Sequence, residues 1–97
     1  MKYYLKYHVK VHDSKYREFL NVLENMLSKQ KSAKCESRMA FQSISDIHIF
    51  EYMEEWSDKA SLKEYLKFNE FKSLQGAFEL LTVVKNFSIT ESIELEK

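Results

Sequence analysis

Polar and apolar residues alternate from Lys2 to His12: Tyr3, Leu5, Tyr7, Val9 and Val11 point one way, Lys2, Tyr4, Lys6, His8, Lys10 and His12 the other. A period of two predicts a strand. Asp13 and Ser14 supply helix-start chemistry. Tyr16, Phe19, Leu20, Leu23, Met26 and Leu27 then recur on one face of a helix, which the polar loop from Ser28 to Lys34 ends. Cys35 to Ser43 alternates more weakly, with Met39 and Phe41 on one face and Glu36, Arg38 and Gln42 on the other, as suits an edge strand. Ser45-Asp46 reads as a hairpin turn, and Ile47 to Trp56 as a second strong strand. Ser57 or Asp58 caps the next helix, with Leu62, Tyr65 and Leu66 inward. After a break near Asn69, a further apolar stripe runs through Phe71, Leu74, Phe78 and Leu81. Phe87, Ile89, Ile93 and Leu95 alternate in a last strand.

The expected order is βαββαβ in one α+β domain spanning residues 1–97. Two right-handed crossovers around an antiparallel hairpin give a four-stranded antiparallel sheet in the order 4-1-3-2, with both helices on one face. Charge pairing sets an expected register of Lys6 opposite Glu51, Lys2 opposite Glu55 and Tyr4 opposite Met53. The helix-side floor then carries Leu5, Tyr7, Val9, His48, Phe50, Tyr52, Glu54 and Trp56. Ile47, Ile49, Met53 and Tyr4 fall on the opposite face, which the helices cannot cover. A homodimer joined through that face is the expected solution, with the last strand reaching across the seam.

Fifteen basic and fifteen acidic side chains cancel and are interspersed, so no basic face is available for nucleic acid. Cys35 is the only cysteine, which excludes an intrachain disulfide and fits a reducing compartment. No apolar run approaches a membrane span. The expectation is a cytoplasmic protein with no membrane and no nucleic-acid partner.

His8 and His12 share a strand face but stand about 13 Å apart, too far for one metal ion, and no metal site is expected. His48 is a candidate general base. Tyr7, Phe50, Tyr52, Trp56 and Tyr65 form an aromatic set that reads either as core or as the wall of a site for a planar ligand, with hydroxyls at its lip. Glu54 at the same end reads as a buried acid, an ion-pair partner or a solvated carboxylate. Cys35 has no histidine beside it in the pattern. With Gly76 the only glycine, phosphate-cradling loops are excluded.

The stretch from the Glu54-Glu55-Trp56 strand end, through the Ser57-Asp58 helix start, to Leu62, Phe71 and the second apolar run resembles the antibiotic-biosynthesis-monooxygenase-type domain of the dimeric ferredoxin-like α+β barrel superfamily. The resemblance implies that fold and a dimer. It also implies cofactor-independent oxidation of an aromatic or quinol-like molecule in a helix–sheet pocket, with His48 and Tyr65 catalytic and Tyr7, Phe50, Tyr52, Trp56 and Asn69 binding substrate. Heme-degrading members carry Asn, Trp and His where this chain has Tyr7, Tyr65 and Gln75, so no cofactor is expected. Many quinol-type members carry a His where Tyr65 stands. The alternative is a non-catalytic dimeric module that binds a small hydrophobic ligand.

Overall fold

The computed structural model describes residues 1–29 and 34–93. Strand β1 (Tyr3–Val11) leads through a 3-10 turn at Asp13–Lys15 into helix α1 (Tyr16–Ser28). Strands β2 (Cys35–Gln42) and β3 (Ile49–Trp56) form a hairpin, followed by helices α2 (Lys59–Tyr65) and α3 (Asn69–Leu81) and strand β4 (Thr82–Glu91). The sheet order is β2-β3-β1-β4 with every neighbour antiparallel, the expected 4-1-3-2 order. Asp58 caps α2, its carboxylate accepting from the Ser61 amide at 3.2 Å. The expected break is the short turn between Tyr65 and Asn69.

Leu5, Tyr7 and Val9 of β1 and Phe50, Tyr52, Glu54 and Trp56 of β3 are all buried on one face. Helices cover that face: Phe19 of α1 packs on Phe50 (ring centroids 5.0 Å), Phe78 of α3 on Tyr7 (4.8 Å) and Tyr65 of α2 on Trp56 (4.9 Å). The expected face assignment therefore holds, but its register does not. Lys6 lies opposite Met53, Tyr4 opposite Glu55 and His8 opposite Glu51, two residues from the expected pairing. A slip of two keeps every side chain on its face, since strand side chains alternate with period two. The charge pairs change in part: His8 Nδ1 meets Glu51 Oε1 at 3.3 Å and Lys2 bonds Glu36 of β2, while the expected Lys2–Glu55 pair survives diagonally, Nζ 4.0 Å from Oε2.

Three boundaries also differ. β3 starts at Ile49, not Ile47, because the Asp46 carboxylate accepts from the His48 amide at 2.9 Å and holds Ile47-His48 in the turn. β4 starts at Thr82, directly after α3, and ends at Glu91, so Ile93 lies beyond it; Leu95 falls outside the described residues. On α1, Phe19, Leu23 and Met26 are buried while Leu20 and Leu27 remain exposed, so the core-facing stripe is narrower than expected.

Candidate functional site

Glu54 is the chemical centre of the helix–sheet layer. Its backbone pairing in β3 directs it beneath α2, where the carboxylate is 0% exposed. Flanking positions on the same strand face supply Tyr52 and Trp56, whose hydroxyl and indole N–H donate to Oε2 at 2.5 Å and Oε1 at 3.0 Å. From above, the Tyr65 hydroxyl of α2 donates to Oε2 at 3.1 Å. From β2, Arg38 stands opposite Glu54, with Nε 3.5 Å from Oε2 and its side chain only 3% exposed. Its guanidinium also donates to Glu70 of α3 at 3.0 Å and to the Met26 carbonyl near the end of α1 at 3.2 Å. One cation thus ties the edge strand to α1, α3 and the carboxylate.

Charge at this density out of water requires such pairing. Burial pushes the Tyr52 and Tyr65 phenols well above the ordinary tyrosine range, and the Glu54 charge adds to both shifts. Burial works against the Arg38 charge, yet Tyr52, Glu54 and Tyr65 around it hold the guanidinium above its ordinary value. Both phenols are therefore donors to Glu54 at neutral pH.

Tyr7 completes the interior in a different way. It lies directly opposite Tyr52 across β1 and β3, with its ring 4.8 Å from both Phe78 and Phe87. Its hydroxyl is buried and finds no hydrogen-bond partner among the described residues. Burial, then the Glu79 and Glu54 carboxylates, push its phenol up to about 12. An unsatisfied buried hydroxyl is uncommon, since buried polar groups are ordinarily hydrogen-bonded.

Of the residues singled out in the sequence, Tyr52, Trp56 and Tyr65 are brought together around Glu54, and Tyr7 stands beside them, opposite Tyr52. Phe50 lies farther along β3 in the Phe19–Tyr16 cluster. Asn69 is the exposed first residue of α3. His48 does not join them. It sits in the turn at the opposite end of β3, about 26 Å along the strand from Trp56, half-buried between Asp13 (2.8 Å) and Asp46 (3.4 Å). In the sequence pattern Arg38 belongs only to the polar face of an edge strand. The signal for it was a lone arginine on the strand paired with β3, where Glu54 needed a cation.

A cleft of about 260 Å³ adjoins this interior between α2 and the β1–β4 side of the sheet, with Tyr3, Leu62, Leu66 and Ile89 in its walls. A second concavity of about 430 Å³ lies on the uncovered sheet face, over Lys6, His8, Phe41, Met53 and Asn86. Among the described residues no group of three or more His, Cys, Asp or Glu side chains is placed to hold a metal ion, and no helix is long and apolar enough to cross a membrane.

Sequence comparison finds no matching family model and no matching curated protein. Solved structures share the fold across nearly the whole chain. A conserved protein from Methanosarcina mazei superposes with a TM-score of 0.84 at 19% identity, covering 96% of this chain and 94% of that one. A Deinococcus radiodurans protein provisionally named an antibiotic biosynthesis monooxygenase gives 0.83 at 11% identity, covering 98% and 96%. A further structure, named an antibiotic biosynthesis monooxygenase, gives 0.80 at 15% identity, covering 95% and 99%. The chain shares a ferredoxin-like α+β fold with these structures.

Proposed function

We propose that the chain is a small oxygenase without a resident cofactor, acting on an electron-rich aromatic or quinol-type molecule held between helices and sheet. The observation that carries this reading is the pairing of a fully buried, triply hydrogen-bonded Glu54 carboxylate with the unpartnered Tyr7 hydroxyl in one aromatic interior. The names of the structural neighbours agree with it. Tyr7 donates to a substrate oxygen. Glu54, through Tyr65, takes up the proton that leaves the substrate, and the aromatic walls exclude water. His48, at the far end of the sheet, takes no part.

For an activated methylene substrate the step balances without any other reductant. The deprotonated carbon passes an electron to O2, and the two radicals combine as a hydroperoxide. Loss of water then leaves a carbonyl. The two C–H bonds supply four electrons; one oxygen atom enters the product and the other leaves as water. The protein's share is orientation and proton management. Oxygen uptake with a panel of anthrones and hydroquinones tests the proposal: uptake is expected, and is expected to fall in Tyr65→Phe and Tyr7→Phe. No uptake across the panel would sink it.

The second reading is a non-catalytic module that binds a small hydrophobic ligand. It is favoured by the apolar walls of the cleft beside that interior, Tyr3, Leu62, Leu66 and Ile89. A ligand that co-purifies without turnover supports it.

In either reading the working unit is a homodimer joined through the uncovered sheet face. Met39, Phe41 and Val84 are exposed there, with Tyr4, Ile49 and Met53 half-exposed. Ile47, expected on that face, lies instead in the turn before β3. An apolar surface of this kind on a small domain marks an association site.

A further inference from the structure

We infer that the cleft between α2 and the β1–β4 side of the sheet is a subsite for a single-ring aromatic carboxylate, whose anionic end lies between Lys59 and Lys63. The inference rests on the reading of the helix–sheet interior as a ligand site, and it names the class of molecule that the cleft beside it takes. The cleft adjoins the Glu54 cage: Tyr3 stands directly across the sheet from Trp56, and Leu62 lies one turn before Tyr65 on α2. The cleft's walls therefore stand next to Trp56 and Tyr65, two of the side chains that donate to Glu54, though neither lines the cleft itself.

Size and charge narrow the occupant. The volume of about 260 Å³ falls below the ~300–1,000 Å³ of sites for drug-sized ligands, but exceeds the ~150 Å³ cavity that holds benzene. One substituted ring fits. Lys59 and Lys63 both line the cleft, four residues apart and so on one face of α2. Neither has a carboxylate within ion-pair distance among the described residues, whereas Lys67 on the next turn is paired with Glu64 at 3.8 Å. Glu91 closes the strand end of the same cleft. Two cations and one anion leave a net single positive charge, which matches a monoanion. An apolar wall with unpaired ammonium groups on one side suits a molecule with an aromatic body and one carboxylate.

Titration of the full chain with 4-hydroxybenzoate and with neutral 4-hydroxybenzamide, followed by amide NMR shifts, tests the subsite. The carboxylate is expected to give saturable shifts at Leu62, Leu66 and Ile89, and the amide to bind roughly tenfold more weakly. The double variant Lys59→Gln, Lys63→Gln should lose about tenfold in carboxylate affinity, with an unchanged urea midpoint showing that the fold is intact. Absent shifts, equal affinity for the amide, or full affinity in the double variant would overturn the inference. Its failure is separable from that of the oxygenase. Carboxylate binding through the lysines without oxygen uptake by any substrate removes the oxygenase and keeps the subsite. Uptake with neutral quinols, with no carboxylate bound, does the reverse.

Discussion

Arg38 and Glu54 are cross-strand partners whose charged ends meet on the helix side of the sheet, Nε 3.5 Å from Oε2, with 3% and 0% of their side chains exposed. Removing one partner strands the other charge in the interior, which costs about 3–5 kcal/mol. Arg38→Met should reach the lower part of that range, since Tyr52, Trp56 and Tyr65 still donate to the carboxylate. The double variant Arg38→Met, Glu54→Leu should lose less than the sum of the two singles, although it leaves the Tyr52, Trp56 and Tyr65 donors without their acceptor. Urea unfolding of the two singles and the double, read as a thermodynamic cycle, checks this; additive losses would show that the pair is not coupled.

Three buried tyrosine hydroxyls make opposite predictions on loss of oxygen. Tyr52→Phe and Tyr65→Phe each remove a hydrogen bond to a charged acceptor, worth about 1.5–3 kcal/mol. Tyr7→Phe removes a hydroxyl with no partner among the described residues, so the free protein should be as stable or more stable. Under the proposed function the same change lowers oxygen uptake. A destabilised Tyr7→Phe would reveal a hydrogen bond that the structure does not show.

These phenols also predict alkaline sensitivity. Burial raises the folded-state pKa of Tyr7 to about 12, and those of Tyr52 and Tyr65 further, above the unfolded value of about 10. Above pH ~10 the unfolded chain releases protons that the folded chain retains. Stability should therefore be fully present below that pH and decline as pH rises, by about 1.4 kcal/mol per pH unit for each such phenol. Urea midpoints measured from pH 8 to 11, alongside phenolate absorbance, test it. Flat midpoints through pH 11 would contradict the burial argument.

Gly76 occupies an exposed interior position of α3, with no positive φ and nothing within 4 Å of an added Cβ. Gly76→Ala should raise stability by about 0.5–1 kcal/mol, seen as a higher urea midpoint with unchanged slope. A loss would place an unseen contact, such as a partner copy, over this turn.

Element type and face were legible because period two in β1 and β3 and period 3.6 in the helices are strong signals. Register was not. Both the expected pairing, Lys6 with Glu51, and the observed one, His8 with Glu51, join a basic residue to the same acid, and a crossover carries no local turn to choose between them. The start of β4 was hidden because helix passes to strand between Leu81 and Thr82 with no Gly or Pro; the Thr82 hydroxyl, donating to the Phe78 carbonyl at 2.5 Å, closes the helix instead. On β2 the alternation leaves open which face turns inward. Met39 and Phe41 face outward while Arg38 turns inward, since satisfying Glu54 outweighs burying two apolar side chains on an edge. The cage around Glu54 was half visible: strand parity groups Tyr52, Glu54 and Trp56, but nothing local links them to Arg38.

The outward turn of Met39 and Phe41 leads to the prediction about assembly. With Val84 of β4 and the half-exposed Tyr4, Ile49 and Met53, they make an apolar floor on the face without helices. Lys6, His8, Lys10 and Glu51 stand among them, and charged groups of this kind orient a partner more than they add affinity. A two-fold contact uses each residue twice. Met53 lies at the middle of this floor, opposite Lys6 on β1 and Met39 on β2. Burying such a side chain stabilises by about 1.5–3 kcal/mol per copy, so losing it in both copies weakens the dimer on the order of 10²–10⁴-fold. Met53→Lys should do at least that, because it also sets two like charges across the seam. Sedimentation across a concentration series should show a wild-type dimer and a Met53→Lys monomer. Phe41→Asp, on the edge strand, should shift the equilibrium in the same direction with little change in monomer folding. A well-folded wild-type monomer at micromolar concentration would overturn the dimer, and with it the role given to this face.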